Sequence, residues 1–152
     1  MQKLITLFSF LLLLQTALLA TTPYNLESIK ALNILIIDQN DILSTAAEKQ
    51  LKNALVKKLS ANGIKGEKDG VGAMFVKVNA TVKGNITIAF ITLGVSEEAI
   101  ITRGDKEVAS FALTYSYDDM IESLNPETDV YDSVINFLVD EFLEQYHEDN
   151  EV

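Results

Sequence analysis

Residues 74–95, MFVKVNATVKGNITIAFITLGV, determine most of the fold. An alternation of apolar and polar residues runs up to Gly84-Asn85, a pair that favours a two-residue hairpin turn. With the turn there, the facing residues on one side are almost all apolar: Val82 and Thr87, Ala80 and Ala89, Val78 and Ile91, Val76 and Leu93, Met74 and Val95. The opposite side, with Lys77 facing Thr92, is mixed. A one-residue shift in register would destroy this separation, so the stretch predicts a hairpin with one face in a core.

The residues before this hairpin predict a strand and a helix. Residues 31–37, ALNILII, form a continuous apolar run, which is typical of a strand buried on both faces at the centre of a sheet. Thr45 and Glu48 have the spacing of a capping box at the start of a helix. The positions that would line one face of that helix are apolar: Ala47, Leu51, Leu55, Leu59. Asn62-Gly63 suits a left-handed end of the helix.

The residues after the hairpin complete the fold. Ser96-Glu97-Glu98 interrupts the alternation, so a bulge or a strand break is expected before residues 99–102 resume it. Residues 109–117 predict a final strand and residues 118–126 a loop, and an amphipathic helix starts near residue 128. The order β-α-β-β-β-α predicts an α+β fold. We expect a two-layer sandwich with a four-stranded, mostly antiparallel sheet and two helices on one face.

The N-terminus has the layout of a secretory signal peptide. Lys3 precedes the short apolar run LITLFSFLLLLQTALLA, residues 4–20. Cleavage after Thr22 leaves the small residue Ala20 at the third position back, whereas cleavage after Ala20 leaves a leucine there. A signal that is not cleaved would instead act as an N-terminal membrane anchor.

These features divide the chain into three parts: a signal peptide at 1–22, a single α/β domain at 23–147 and an acidic, disordered tail at 148–152. We expect a periplasmic or secreted protein with no membrane span after signal cleavage. The chain has no cysteine, so an exported domain of this sequence must hold its core together by burial alone.

Charge excludes two classes of partner. The formal net charge is −10, no Lys or Arg follows Lys106, and residues 118–151 carry twelve acids. Such a surface repels nucleic acid and anionic lipid, so we expect neither as a partner.

The sequence also argues against catalysis and cofactors. It has no cysteine nucleophile, and its one histidine, His147, lies near the end of the chain. It contains no Gly-x-Ser-x-Gly, P-loop or Gly-x-Gly-x-x-Gly motif. We therefore predict a protein that is not an enzyme, with no catalytic residue and no cofactor.

Two groups of acids could hold a cation, although ordinary solvated acids are the plainer interpretation of both. Asp140, Glu144 and His147 share one face of the last helix, but a single exposed face offers no supporting polar residues around the donors. Asp118-Asp119 with Glu122 could bind Ca²⁺ from a loop, although the EF-hand spacing is absent. The sequence therefore predicts no metal site, with these residues as weak candidates.

The apolar arc of the last helix suggests a surface for a partner. Val139 and Leu143 widen this arc beyond what one sheet face requires. We therefore predict that these two residues bind an envelope protein or a second copy of the chain.

The organisation of residues 30–147 resembles that of small accessory proteins of the Gram-negative envelope. A strand ending in ILIID, the helix AAEKQLKNALVKKLSANGI, three strands and a closing helix are similar to the TolB N-terminal domain, CsgG-type domains and LptE-like proteins. The chain departs from many of them in lacking a lipobox cysteine. The resemblance implies an exported, non-catalytic domain that binds protein or assists envelope assembly. The alternative is a periplasmic module that binds a small ligand or a divalent cation.

Overall fold

The computed structural model describes residues 26–66 and 72–150. Its five strands are β1 (Ala31–Asp38), β2 (Lys65–Gly66), β3 (Gly72–Lys83), β4 (Ile86–Arg103) and β5 (Lys106–Ser123). They form one sheet in the order β2-β1-β3-β4-β5. Strand β1 is parallel to both of its neighbours, and the remaining pairs are antiparallel. The α+β class is confirmed, but the sheet is mixed and has a fifth strand, β2, where four were predicted.

Two helical rods lie side by side on one face of this sheet. The first is α1 (Thr45–Ala61). The second runs from α2 (Pro126–Ser133) through a π-helical turn (Val134–Leu138) into α3 (Val139–Asn150). Ser133 and Val139, at the two junctions, keep helical dihedral angles, so these three segments form one rod, here named the C-terminal helix. The prediction of two helices on one face is confirmed.

The ends of α1 follow from its sequence. Ser44 is the N-cap, and its hydroxyl accepts a hydrogen bond from the Ala47 N–H, so the cap lies one residue before the predicted Thr45. At the other end Gly63 has a φ of +83°, and the Ile64 N–H donates to the Leu59 carbonyl. The left-handed glycine and this hydrogen bond form the predicted end of the helix.

The register of the central hairpin is confirmed in every pair. Met74 pairs with Val95, and the ladder continues without a slip to Lys83 and Ile86, which flank the Gly84-Asn85 turn. Val76 and Leu93, which face each other, are both fully buried. The side with Met74 and Val76 therefore faces the helices.

Strands β4 and β5 are longer than predicted. Of the two expected alternatives, a bulge or a strand break, the structure has a bulge, at Val95/Ser96. Val95 pairs with Tyr115 and Ser96 with Leu113, so Thr114 is the extra residue. The predicted loop at 118–126 is wrong, because β5 continues to Ser123. Acids are tolerated in this strand because Asp118 accepts a hydrogen bond from Thr92, and Asp119 accepts one from Ser133.

Strand β1 is not buried on both faces as predicted. Leu32 and Ile34 lie in the core, but Leu35 and Ile37, on the other face, are exposed. The reason is the architecture, since both helical rods cover the same face. An apolar run of this length is therefore compatible with a strand that is covered on one face only.

The C-terminal helix extends three residues beyond the expected limit at 147. The acidic tail was expected to begin at 148, but α3 continues to Asn150. The Leu26 N–H donates to Asp149 Oδ2 at 2.7 Å, and the Ser28 N–H donates to Asn150 Oδ1 at 3.0 Å. The backbone of residues 26–30, here named the N-terminal strap, thus provides hydrogen-bond partners for the polar side chains of the last helical turn.

The signal peptide predicted at 1–22 lies outside the described residues. Within residues 26–66 and 72–150, no helix is long and apolar enough to cross a membrane.

Candidate interaction surfaces

The face of the sheet opposite the helices is open and carries large apolar side chains among polar ones. Because side chains alternate along each strand, one set of residues from four strands shares this face. We name it the outer face; its central members are Leu35, Ile37, Phe75, Lys77, Asn79, Thr81, Ile88, Phe90, Thr92, Ser116, Asp118, Met120 and Glu122. Phe90 and Met120 are 56% and 61% exposed. No element of the described chain packs over it.

Part of the outer face is shaped by a glycine. Phe75 of β3 pairs with Gly94 of β4, and a Cβ atom on Gly94 would overlap the Phe75 ring. The aromatic ring therefore lies across the glycine and fills the space that a side chain would take.

A second surface extends beyond the body of the sheet. In the described residues β3 begins at Gly72, opposite Glu97, so the later part of β4 pairs with β5 alone. We name this two-stranded hairpin, residues 98–111, the ribbon. Ile100 and Phe111 on one side are 70% and 76% exposed, and Ile101 and Val108 face each other on the other side. The ribbon therefore presents apolar side chains on both of its faces.

The predicted partner residues Val139 and Leu143 do not lie on either surface. They are 0% and 6% exposed and belong to the core, which corrects their assignment to a free surface. The wide apolar arc has a structural cause, because both residues belong to a core cluster that also includes Leu26 and Ile29 of the N-terminal strap. The Tyr146 hydroxyl, one turn further on, donates to the Ile29 carbonyl oxygen at 3.1 Å.

The weak metal candidates on the C-terminal helix are held by other groups. Asp140 Oδ1 lies 2.7 Å from the Lys58 ammonium, and His147 Nε2 lies 3.1 Å from Asn62 Oδ1. Glu144 is exposed. Among the described residues, no three His, Cys, Asp or Glu side chains come together in a group that could hold a metal ion.

The acids proposed for a calcium loop lie on a strand and are separated by it. Asp118 is on the outer face, whereas Asp119 points to the helix side, where Ser133 donates to it at 2.7 Å. Glu122 pairs with Ile88 on the outer face. Since neighbouring strand residues point to opposite faces, Asp118 and Asp119 cannot share one ion.

A small cleft separates the beginnings of the two helical rods. Its volume is about 160 Å³, and Leu43, Gln50, Glu127 and Tyr131 are among its lining residues. This volume is below the roughly 300 Å³ at which pockets for small molecules begin. The Ser44 N–H donates to Glu127 Oε1 at 2.8 Å, and hydrogen bonds from Ser44 hold the pKa of Glu127 below its ordinary value. The Glu127 carboxylate, which lines the cleft, thus already accepts a hydrogen bond from the N-cap residue of α1.

One aromatic cluster was not recognised in the sequence. Tyr117 of β5 makes an edge contact with Phe137, with ring centroids 5.9 Å apart. The negative charge of Glu141, followed by burial and a hydrogen bond to that carboxylate, raises the pKa of Tyr117. This contact joins the C-terminal helix to the edge strand. The sequence around Phe137 contains no signal for it.

The chain matches no model of a known protein family and no curated protein sequence. Its function must therefore be inferred from the outer face and the ribbon.

Proposed function

We propose that this chain is an exported, non-catalytic protein-binding domain of the cell envelope, and that its partner binds the ribbon. The observation that carries the proposal is the exposure of apolar residues on both faces of residues 98–111. A two-stranded hairpin is marginally stable in water by itself, and a third strand or a packed layer is needed to support it. A partner protein that supplies either would complete the ribbon.

The edge strand β5 suggests how such a partner binds. It is the last strand of the sheet, so its outward backbone N–H and C=O groups can pair with a further strand. Natural edge strands are commonly protected by inward-pointing charges or by Pro. The middle of β5 instead carries Phe111 and Leu113, both exposed. An extended partner segment with apolar side chains at alternate positions fits this edge.

The cellular setting of the proposal is the periplasm or the exterior. It is supported by the apolar run at 4–20 behind Lys3. The partner would then be an envelope protein.

A photoreactive amino acid at position 111 tests the proposal in cells. We expect irradiation to join the full chain to one dominant envelope protein from position 111, but not from position 57, an exposed site on α1. Adding Ile100→Asp on the same face of the ribbon should remove the adduct and leave the melting temperature nearly unchanged, because Ile100 is exposed.

Equal labelling from positions 57 and 111, or an adduct that survives Ile100→Asp, would count against a ribbon partner. The alternative of a small-ligand or cation module has less support, since the cleft is small and its acid is already bonded. Melting curves with Ca²⁺, Zn²⁺ or a chelator test that alternative: a shift with any of them would revive it.

A further inference from the structure

We infer that a second copy of this chain covers the outer face, forming a symmetric dimer in which the two sheets stack. The outer face shares no residue with the ribbon, whose Ile100 and Phe111 continue it on the same side of the sheet, and the dimer does not depend on the ribbon's partner. Stacked sheets with helices outside them would give four layers, α/β/β/α. Two properties of the outer face support the dimer: its charge pattern and its area.

One row of the outer face carries opposite charges at its two sides. The ladder places Ile37, Lys77, Thr92 and Asp118 side by side across β1, β3, β4 and β5. Thr92 Oγ1 donates to Asp118 Oδ1 at 2.5 Å. Within the described residues, no ion pair joins Lys77 to an acid. Positive charge therefore lies on β3 and negative charge two strands away on β5.

This pattern is complementary to itself under one kind of two-fold axis. An axis that runs parallel to β4, between the stacked sheets, keeps each row opposite the same row of the other copy and exchanges left with right. Lys77 of each copy then lies over the Thr92–Asp118 pair of the other. An axis across the strands would instead set β3 over β3 and oppose like charges. A symmetric interface requires such self-complementarity, and opposite charges select the geometry.

The apolar residues support the same arrangement. Phe90 and Ile88 of β4 lie next to the axis and would contact their own copies, with Met120 of β5 on one side of Phe90 and Asn79 of β3 on the other. With the axis over β4, the strands that overlap are β3, β4 and β5, because β1 lies beyond the edge strand of the other copy. Three strands about 4.8 Å apart and about 40 Å long, the length of the 12 residues of β3, present about 600 Å² per copy. Two copies would bury about 1,200 Å², which reaches the range of specific protein interfaces.

The described chain argues against coverage of this face by its own N-terminal segment. The chain enters the structure at Leu26, which is bonded to Asp149 in the helix layer. That layer lies on the opposite side of the sheet from Phe90. A second copy needs no such crossing.

The absence of cysteine from the natural chain allows a direct test. Ile88→Cys, near the axis, is compared with Ser60→Cys, exposed on α1, in the full-length protein. Stacked sheets lie about 10 Å apart, which is too far for a disulfide, so a short bismaleimide is the probe. We expect the crosslinked dimer from Ile88→Cys to exceed that from Ser60→Cys about tenfold.

Charge reversal makes the test specific for two copies. In the Ile88→Cys background, Lys77→Asp or Asp118→Lys should each lower dimer yield about fivefold, since each opposes like charges in the dimer. A mixture of the two variants, distinguished by tags, should recover the yield as the mixed dimer. The reason is that the acid introduced on β3 of one copy then meets the base introduced on β5 of the other. Circular dichroism melting confirms that each variant is folded.

Two results would overturn the inference: a yield from Ile88→Cys no higher than from Ser60→Cys, or mixed variants that crosslink no better than either alone. The photocrosslink from position 111 is recorded in the same variants. If the photocrosslink from position 111 forms but the dimer does not, only the dimer is rejected. If the dimer forms but this photocrosslink does not, only the ribbon partner is rejected.

Discussion

The Lys58 ammonium lies 2.7 Å from Asp140 Oδ1 and also donates to the Ile135 carbonyl oxygen, inside the π-helical turn. Lys58 thus links α1 to the one turn of the C-terminal helix that departs from α-helical bonding. We expect Lys58→Met to lower the free energy of unfolding by about 1–2 kcal/mol, because it removes a charged hydrogen bond. Asp140→Asn should cost less than about 1 kcal/mol, since that carboxylate is mostly exposed.

Urea unfolding measures both effects, with Lys57→Met as the matched control. Lys57 is the exposed neighbour on the same helix, and its replacement should change stability by less than about 0.5 kcal/mol. An equal loss from Lys57→Met and Lys58→Met would contradict the role of the Ile135 bond.

The core position of Leu143 predicts a large loss on truncation. Leu143→Ala should lower the free energy of unfolding by about 2–4 kcal/mol through the cavity it leaves. Leu124→Ala removes the same atoms from a side chain that is 64% exposed, and should cost less than about 1 kcal/mol. Similar losses for the two variants would contradict the buried position of Leu143.

The overlap of Phe75 with Gly94 predicts a compensating pair. Gly94→Ala should destabilise the protein by about 1–3 kcal/mol, because its methyl group displaces the Phe75 ring. Phe75→Ala removes that obstacle, so the double variant should be more stable than the sum of the two single losses predicts. Additive losses in a thermodynamic cycle from urea curves would show that the ring does not lie on the glycine.

The lowered pKa of Glu127 predicts a dependence of stability on acid pH. A carboxylate with a depressed pKa in the folded state stabilises the protein fully above its ordinary pKa, which is 4.5. This contribution disappears as the pH falls through the folded-state pKa. The difference in the free energy of unfolding between the natural chain and Glu127→Gln should therefore narrow as the pH falls below 4.5. A gap that stays constant across the acid range would contradict the bonds from Ser44.

The N-terminal strap predicts that the last residues are needed for stability. Asp149→Ala with Asn150→Ala should lower the free energy of unfolding by about 1–3 kcal/mol, because the Leu26 and Ser28 N–H groups lose their partners. The control is Glu148→Ala, an exposed neighbour on the same turn. Hydrogen exchange at Leu26 and Ser28 should accelerate in the double variant alone. Unchanged exchange would mean that the strap is held elsewhere.

The register of β3 and β4 could be read from the sequence because two signals agree on it. The Gly84-Asn85 turn sets the pairing, and the alternation that puts Val76 opposite Leu93 tolerates no other. The Asn62-Gly63 stop was equally readable, since it depends on neighbouring residues alone. Local chemistry was sufficient in both cases.

Burial was harder to predict, because an apolar residue does not reveal what covers it. Leu35 and Ile37 looked like core residues and are exposed, whereas Val139 and Leu143 looked like a docking surface and are buried. The difference lies in partners distant in sequence: the strap contacts the helix more than a hundred residues later. No periodicity within the C-terminal helix contains that information.

An exposed edge strand was foreseen as a docking route, but the residues of the ribbon and of the outer face were not, for a related reason. The alternation at residues 99–102 was visible, but a strand break at 96–98 was as compatible with the sequence as a bulge, so a continuous ribbon could not be predicted. A usable signal was the pair Ile100-Ile101 facing Val108 and Ala109 around Gly104, which puts apolar groups on both sides of a hairpin. The acids at 118 and 119 hid the continuation of β5, because their bonds to Thr92 and Ser133 depend on the fold.

The hydrogen bonds between Leu26 and residues 149 and 150 make the described chain almost a closed ring. A short peptide could therefore join residue 150 to residue 26, and new ends could be opened at the Gly84-Asn85 turn. Such a circular permutant would keep every strand and helix while changing the order in which they leave the ribosome. It would show whether this fold requires β1 and α1 to be made before the long hairpin of β4 and β5.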